Sequence, residues 1–256
     1  MPKTDTATRY AAPLREGGSL PALVEADDDG LYVVKLSGAG QGPKALVAEL
    51  ICGELGRMLG LPVPEPAIVR MPAGLPDAEP DPEIQELLAA SVGLNAGLDF
   101  LPSALPYTPA GGFEPGPELA AAIVWFDALI ENVDRSARNV NMLLWHGRLW
   151  LIDHGAALYR QHAGLAGADP AAPFEPIADH VLLPCAGSIT AADERLGGIA
   201  DRAAIEAIVA NVPGEWLAGS SRAEYSDYIA ARLEHRELWV AEAERARSGA
   251  EAVTHG

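Results

Sequence analysis

The sequence is poor in cysteine, in basic side chains and in long apolar runs, and each shortage removes a class of function. Its two cysteines, Cys52 and Cys185, sit far apart in apolar surroundings. They provide neither a disulfide framework nor metal-ligand spacing, so both are expected as reduced, buried small hydrophobes. Only 18 lysines and arginines stand against 36 acids, a formal charge of -18. A surface this acidic repels nucleic-acid backbones and anionic lipid headgroups, and no polybasic stretch offsets it; nucleic acid and membrane are therefore disfavoured as partners of the chain by itself. The longest apolar run, near residues 119–126, is far too short to cross a bilayer, and the opening MPKTDTATRY has no apolar leader core. A cytoplasmic protein is expected.

What is present is ordinary globular material, 49% hydrophobic over 256 residues, enough for one large domain or two lobes. Abundant alanine, glycine and proline fit a bacterial source on composition alone. The chemistry concentrates in residues 129–156, LIENVDRSARNVNMLLWHGRLWLIDHGA. Asp134 and Arg135 follow an apolar run, and Asn139 comes five positions after Asp134. Residues 141–145 and 148–152 are two short apolar strand patterns separated by His146-Gly147, and a two-residue connection ending in glycine predicts a tight hairpin. Asn139 then lies at one foot of the ribbon and Asp153, followed by Gly155, at the other. An amide oxygen and a carboxylate on adjacent strand ends suit Mg²⁺, which takes carboxylates, amides, water and phosphate oxygens. Asp134, in the loop entering the hairpin, is placed to accept or orient the proton of an attacking hydroxyl. Singly these features are commonplace turn chemistry; their order, spacing and strand context together carry the reading.

An Asp, an Asn five residues on and an Asp ending the next strand is the order of base and metal residues in protein kinases. The segments DRxxxN and IDxG, joined by the Gly147 hairpin, resemble those of the phosphatidylinositol 3/4-kinase and HipA-like branch of the kinase superfamily. They are most similar to those of the small bacterial HipA-like kinases. The resemblance implies Asp134 as catalytic base, Asn139 and Asp153 as Mg²⁺ residues, and ATP as phosphoryl donor. It also implies an α+β, two-lobed protein-kinase-like fold: an amino-terminal lobe of small antiparallel sheet with one helix, and a mostly helical carboxy-terminal lobe. Residues 1–100 would form the nucleotide-binding lobe, 101–248 the catalytic lobe and 249–256 a disordered tail. The sequence departs from the pattern twice. Ser136 stands where phosphatidylinositol kinases have the histidine of DRH, and His154 where an aromatic Phe follows the metal aspartate. Neither change deletes a metal ligand.

Towards the amino terminus, residues 10–14, 20–25 and 31–36 predict an antiparallel meander with turns at Gly17-Gly18-Ser19 and at 27–30. Lys35, on the third strand, reads by itself as a snorkelling edge residue. The resemblance makes it the contact for the α- and β-phosphates, under a flexible turn of Gly17, Gly18 and Ser19. Residues 37–42, SGAGQG, offer amides for an anion nest, yet they follow the lysine, out of kinase order, and are expected as a connection. Residues 43–59 predict a helix, with Pro43 in its first turn, Val47, Ile51, Leu55 and Met58 on a stripe and Gly60 ending it. Glu49 or Glu54 would reach Lys35, and the match to the HipA-like pattern selects Glu49. A strand at 67–71, a helix at 82–90, an inter-lobe hinge near 91–101 and a helix at 117–130 follow. Residues 156–176 predict a loop without an Ala-Pro-Glu signature, His180 is expected as a packed or capping residue, and 201–210 and 221–247 predict helices.

The expected activity is ATP- and Mg²⁺-dependent transfer of a γ-phosphoryl group to a hydroxyl. The resemblance implies a protein Ser or Thr as acceptor, and a small-molecule alcohol is equally compatible with the residues. The rival is a nucleotide-binding pseudokinase acting as a regulatory partner. A third reading drops the nucleotide and has the acidic surface engage a basic partner.

Overall fold

The structure, a computed structural model, describes residues 2–14, 20–39, 42–76 and 79–254. It is a mixed α+β fold. Strands β1 (Lys3–Pro13), β2 (Ala22–Ala26) and β3 (Leu31–Lys35) form an antiparallel run. β5 (Gly93–Asp99) pairs with β3, and β4 (Pro66–Met71) lies between β5 and β1, pairing parallel to β1 with Lys3 opposite Ala67. The expected meander is thus part of a closed five-stranded barrel. Closure removes the exposed edges that an open sheet of this size would present. Inward residues alternate along β2 and β3, and Val24, Val34, Val69, Tyr32 and Met71 fill the interior. Two helices accompany the barrel, at both of the places where the sequence predicts them, one more than the resemblance by itself implies. α1 (Pro43–Met58) and α2 (Pro82–Ala90) both begin on proline, and Asp81 caps α2 by accepting the Glu83 N–H at 3.1 Å.

α1 is buried almost all round, and it belongs less to the barrel than to a larger core. One face packs on Ile68 and Ala96 outside the barrel, and the rest meets the helices that follow. α3 (Pro117–Leu129) runs through the centre with every residue from 120 to 129 buried. A helix apolar on all sides has this as its stable place. β6 (Leu105–Pro106), β7 (Met142–Trp145) and β8 (Arg148–Leu151) make a second small sheet. α4 (Ile189–Leu196), α5 (Arg202–Val209), α6 (Arg222–Glu234) and α7 (Glu237–Thr254) complete the body.

Three sequence expectations are revised. Residues 91–101, expected as a hinge, contain β5. The single helix expected over 221–247 breaks at His235 (φ −116°, ψ 40°), and Trp239 turns back to donate to the Arg232 carbonyl at 3.0 Å and to pack, tilted, against Trp125 with ring centres 5.5 Å apart. α7 then stays helical to Thr254, where a frayed tail from 248 was expected, because its Trp239, Val240 and Ala243 anchor it to the core. No helix among the described residues is long and apolar enough to cross a membrane.

Candidate active site

Lys35 is the last residue of β3 and alternates outward from the barrel, towards α1. Its Nζ lies 2.7 Å from Glu49 Oε2 and in contact with Asp153 Oδ1, and its side chain is only 11% exposed. Three segments distant in sequence therefore converge on one ammonium. Burial by itself lowers the pKa of Lys35, but the adjacent Glu49 and Asp153 carboxylates outweigh it and hold the amine above its ordinary value of 10.5. Burial likewise opposes ionisation of Glu49, and the Lys35 charge overrides it, keeping the carboxyl below its ordinary 4.5. Glu54, the alternative partner, is half-buried and its pKa is raised by burial.

Asp153 follows β8 with φ 56°, in the left-handed region that Asp tolerates better than most residues. Among the described residues, five of the nine non-glycines with positive φ (Glu131, Asn141, His146, Asp153 and Leu158) fall within residues 131–158. Such strain clusters at functional sites. Gly155 leaves room for Lys35, because a Cβ there would meet Lys35 Nζ and the ammonium would have to shift. His154 is fully buried, its Nδ1 3.7 Å from Glu49 Oε1 and its ring edge-on to Phe126 at 6.0 Å.

The hairpin forms as its sequence requires. Trp145 pairs with Arg148, and His146 (φ 49°) and Gly147 (φ 70°) are both left-handed, as a type I′ turn demands. At its entrance the Asn139 amide donates to Asp134 Oδ2 at 2.7 Å and the Asn141 amide reaches the same oxygen at 3.4 Å. The Ile152 N–H donates to the Asn141 carbonyl at 3.1 Å, which joins the loop bearing Asp134 to the residue just before Asp153. Asp134 is partly exposed, and Arg138 and Asn139 beyond it are exposed. Arg135 is the opposite case, fully buried with its Nε 2.5 Å from Asp127 Oδ2.

Asn139 and Asp153 offer hard oxygen donors at the two feet of the ribbon. Asp153 keeps 35% of its side chain exposed, and the described residues contain no group of three or more His, Cys, Asp or Glu that could hold a metal ion. That donor set fits Mg²⁺, which keeps waters and phosphate oxygens as its remaining ligands, and does not fit a protein-only cage. Gly17, Gly18 and Ser19 lie outside the described residues. In the SGAGQG stretch the Ser37 and Gly38 amides already donate to Asn95 Oδ1 at 2.7 Å and Ser91 Oγ at 3.0 Å, which ties it to α2 and β5 as a connection. Sequence reasoning overlooked Asp127 and Asn132. A lone acid in the apolar helix WFDALI was the available signal, since a buried carboxylate needs partners.

A family model for HipA-like kinases matches residues 9–239. The chain belongs to the HipA-like kinase family. Among solved structures, this HipA-like chain is similar to a Helicobacter pylori proinflammatory kinase, CtkA, with a TM-score of 0.61 and 13% identity over 97% of this chain and 99% of that one. At that identity the likeness speaks for the fold alone. No curated protein matches. Family membership supports a phosphotransferase.

Proposed function

We propose that this HipA-like kinase is an ATP- and Mg²⁺-dependent phosphotransferase of two lobes that carries the γ-phosphoryl group to a hydroxyl, with a protein Ser or Thr as acceptor. The observation that carries the reading is the meeting of Lys35, Glu49 and Asp153 beside the loop that bears Asp134 and Asn139. Residues 1–100 form the nucleotide lobe and 101–248 the catalytic lobe. Lys35, oriented by Glu49, holds the donor phosphates, with Gly17, Gly18 and Ser19 as further nucleotide-binding residues. Asn139 and Asp153 hold Mg²⁺, which when bound neutralises phosphate charge. Asp134 takes the proton of the acceptor hydroxyl as that oxygen bonds to the γ-phosphorus and the bond to the β-phosphate oxygen breaks, leaving ADP. Asn139 and Asn141 hold the Asp134 carboxylate for that task. Most of the acceleration comes from positioning and charge, since phosphoryl transfer asks little covalent work of the protein. Arg138, exposed beside Asn139, is available to the acceptor; Arg135, buried on Asp127, is not.

The test is transfer of labelled phosphate from ATP with Mg²⁺, to the chain itself and to proteins of a bacterial lysate, for the wild type and for Asp134→Ala. Transfer by the wild type alone is the expected result. Thermal shift supplies the binding readout, because a ligand of the folded state raises apparent stability by mass action. A shift with no transfer by either protein would make the chain a pseudokinase, and no shift at millimolar ATP and Mg²⁺ would remove the nucleotide altogether.

A further inference from the structure

Asp127, fully buried on α3, gathers three donors. Arg135 Nε lies 2.5 Å and His180 Nε2 2.9 Å from its Oδ2, and the Asn132 amide donates to its Oδ1 at 3.1 Å. Two of these partners are in the loop of Asp134, and the third lies far along the segment that follows Asp153. The backbone repeats the link, for Ser136 and His180 form an antiparallel bridge and the Val181 N–H donates to the Arg135 carbonyl at 3.1 Å. Asn132 Oδ1 accepts the Asp134 N–H at 3.1 Å, and Arg135 donates onward to the Asn141 carbonyl. His180 Nδ1 accepts the Leu182 N–H at 3.1 Å, which leaves the ring proton on Nε2. The cluster is therefore one anion, one cation and a neutral donor, sealed from water.

In regulated protein kinases, a phosphate on the segment after the metal residue orders that segment by pairing with arginine. Residues 155–187 of this chain contain no Ser and no Thr, and their single tyrosine is Tyr159. Arg135, the arginine beside Asp134, is 2% exposed and already taken by Asp127. We propose that Asp127 and His180 are positioning residues for phosphoryl transfer, which hold Asp134 through Asn132 and Arg135 and dock the segment after Asp153 with no phosphate on it. The proposal rests on reading Asp134 as the base.

The experiment compares His180→Gln, which keeps a donor towards Asp127, with His180→Phe, which does not, in the full chain. In His180→Phe, kcat is expected to fall on the order of 100-fold, the cost of a small misplacement of the reacting groups. KM for ATP stays unchanged, and His180→Gln recovers most of the loss. Hydrogen exchange at the amides of residues 134–139 and Val181 quickens in His180→Phe only. Tyr159→Phe, and protein shown by mass to carry no phosphate, keep wild-type turnover. Wild-type turnover by His180→Phe, or loss of activity in Tyr159→Phe, would overturn the proposal. Should the wild type transfer no phosphate, the base assignment fails, and exchange alone decides the clamp: quickening in Phe but not in Gln supports it, equal exchange overturns it. If His180→Phe does not fold, the isosteric Asp127→Asn takes its place against His180→Gln.

Discussion

Lys35 shows how much a single side chain can hold together. A buried carboxylate is tolerated only when paired, and Glu49, 3% exposed, has the Lys35 ammonium at 2.7 Å as its cation. Lys35→Met is expected to lower stability by about 3–5 kcal/mol, because it leaves that charge uncompensated, whereas Lys35→Met with Glu49→Gln recovers much of the loss. Urea denaturation of both proteins checks this, and equal midpoints would contradict it. Gly155→Ala should impair the same cluster from the other side by pushing Lys35 out of place. Lys35 was legible from its strand, and its partner only through the family resemblance, which selected Glu49: helix periodicity alone left Glu49 and Glu54 open, and the packing of α1 against β4 and β5 turns Glu49 inward.

At the scale of elements, the β7–β8 hairpin was legible because turn chemistry is local. His146 and Gly147 take the left-handed conformations that their two-residue connection requires, and no distant residue has to agree. Gly147→Val is expected to destabilise the chain by about 1–2 kcal/mol, the cost of forcing a side chain into that region, as read from the denaturant midpoint. β5 was illegible for the converse reason. Its sequence GLNAGLD has few β-formers, and it is a strand because it completes the barrel between β3 and β4. The break between α6 and α7 has the same origin, since helical propensity runs through residues 221–247 and tertiary packing of α7, Trp239 against Trp125 included, accompanies the turn at His235.

At the scale of the whole molecule, opposing electrostatic effects set the pH response. Asp127 is buried, which by itself raises its pKa; the Arg135 charge and the His180 and Arg135 hydrogen bonds prevail and hold it below its ordinary 3.8, as Lys35 holds Glu49 below 4.5. Carboxyls lowered on folding contribute stability that is complete above those ordinary values and is lost as pH falls through their folded values. The net charge of -18 acts in the other sense, since self-repulsion weakens as surface acids take up protons. Stability is therefore expected to hold or rise between pH 7 and 5 and to fall steeply only below about pH 4. At pH 7 added salt should stabilise by screening the repulsion. Guanidine is itself a salt, so thermal or urea unfolding across pH and ionic strength is the appropriate measurement. A steady loss from pH 7 downwards would contradict the assignment.

Residue order by itself determined the local parts of this protein: the type I′ hairpin, the starts of α1 and α2 on proline, the alternation of β2 and β3, and the spacing of Asp134, Asn139 and Asp153 along one loop and ribbon. Each depends on backbone geometry within a few residues. Only the tertiary structure decided that β4 closes a barrel, that Glu49 is buried against Lys35 while Glu54 stays half-buried, and that Asp127 gathers Asn132, Arg135 and His180. Those outcomes turn on desolvation, which is set by what surrounds a charge in space, and no spacing along the chain encodes that directly.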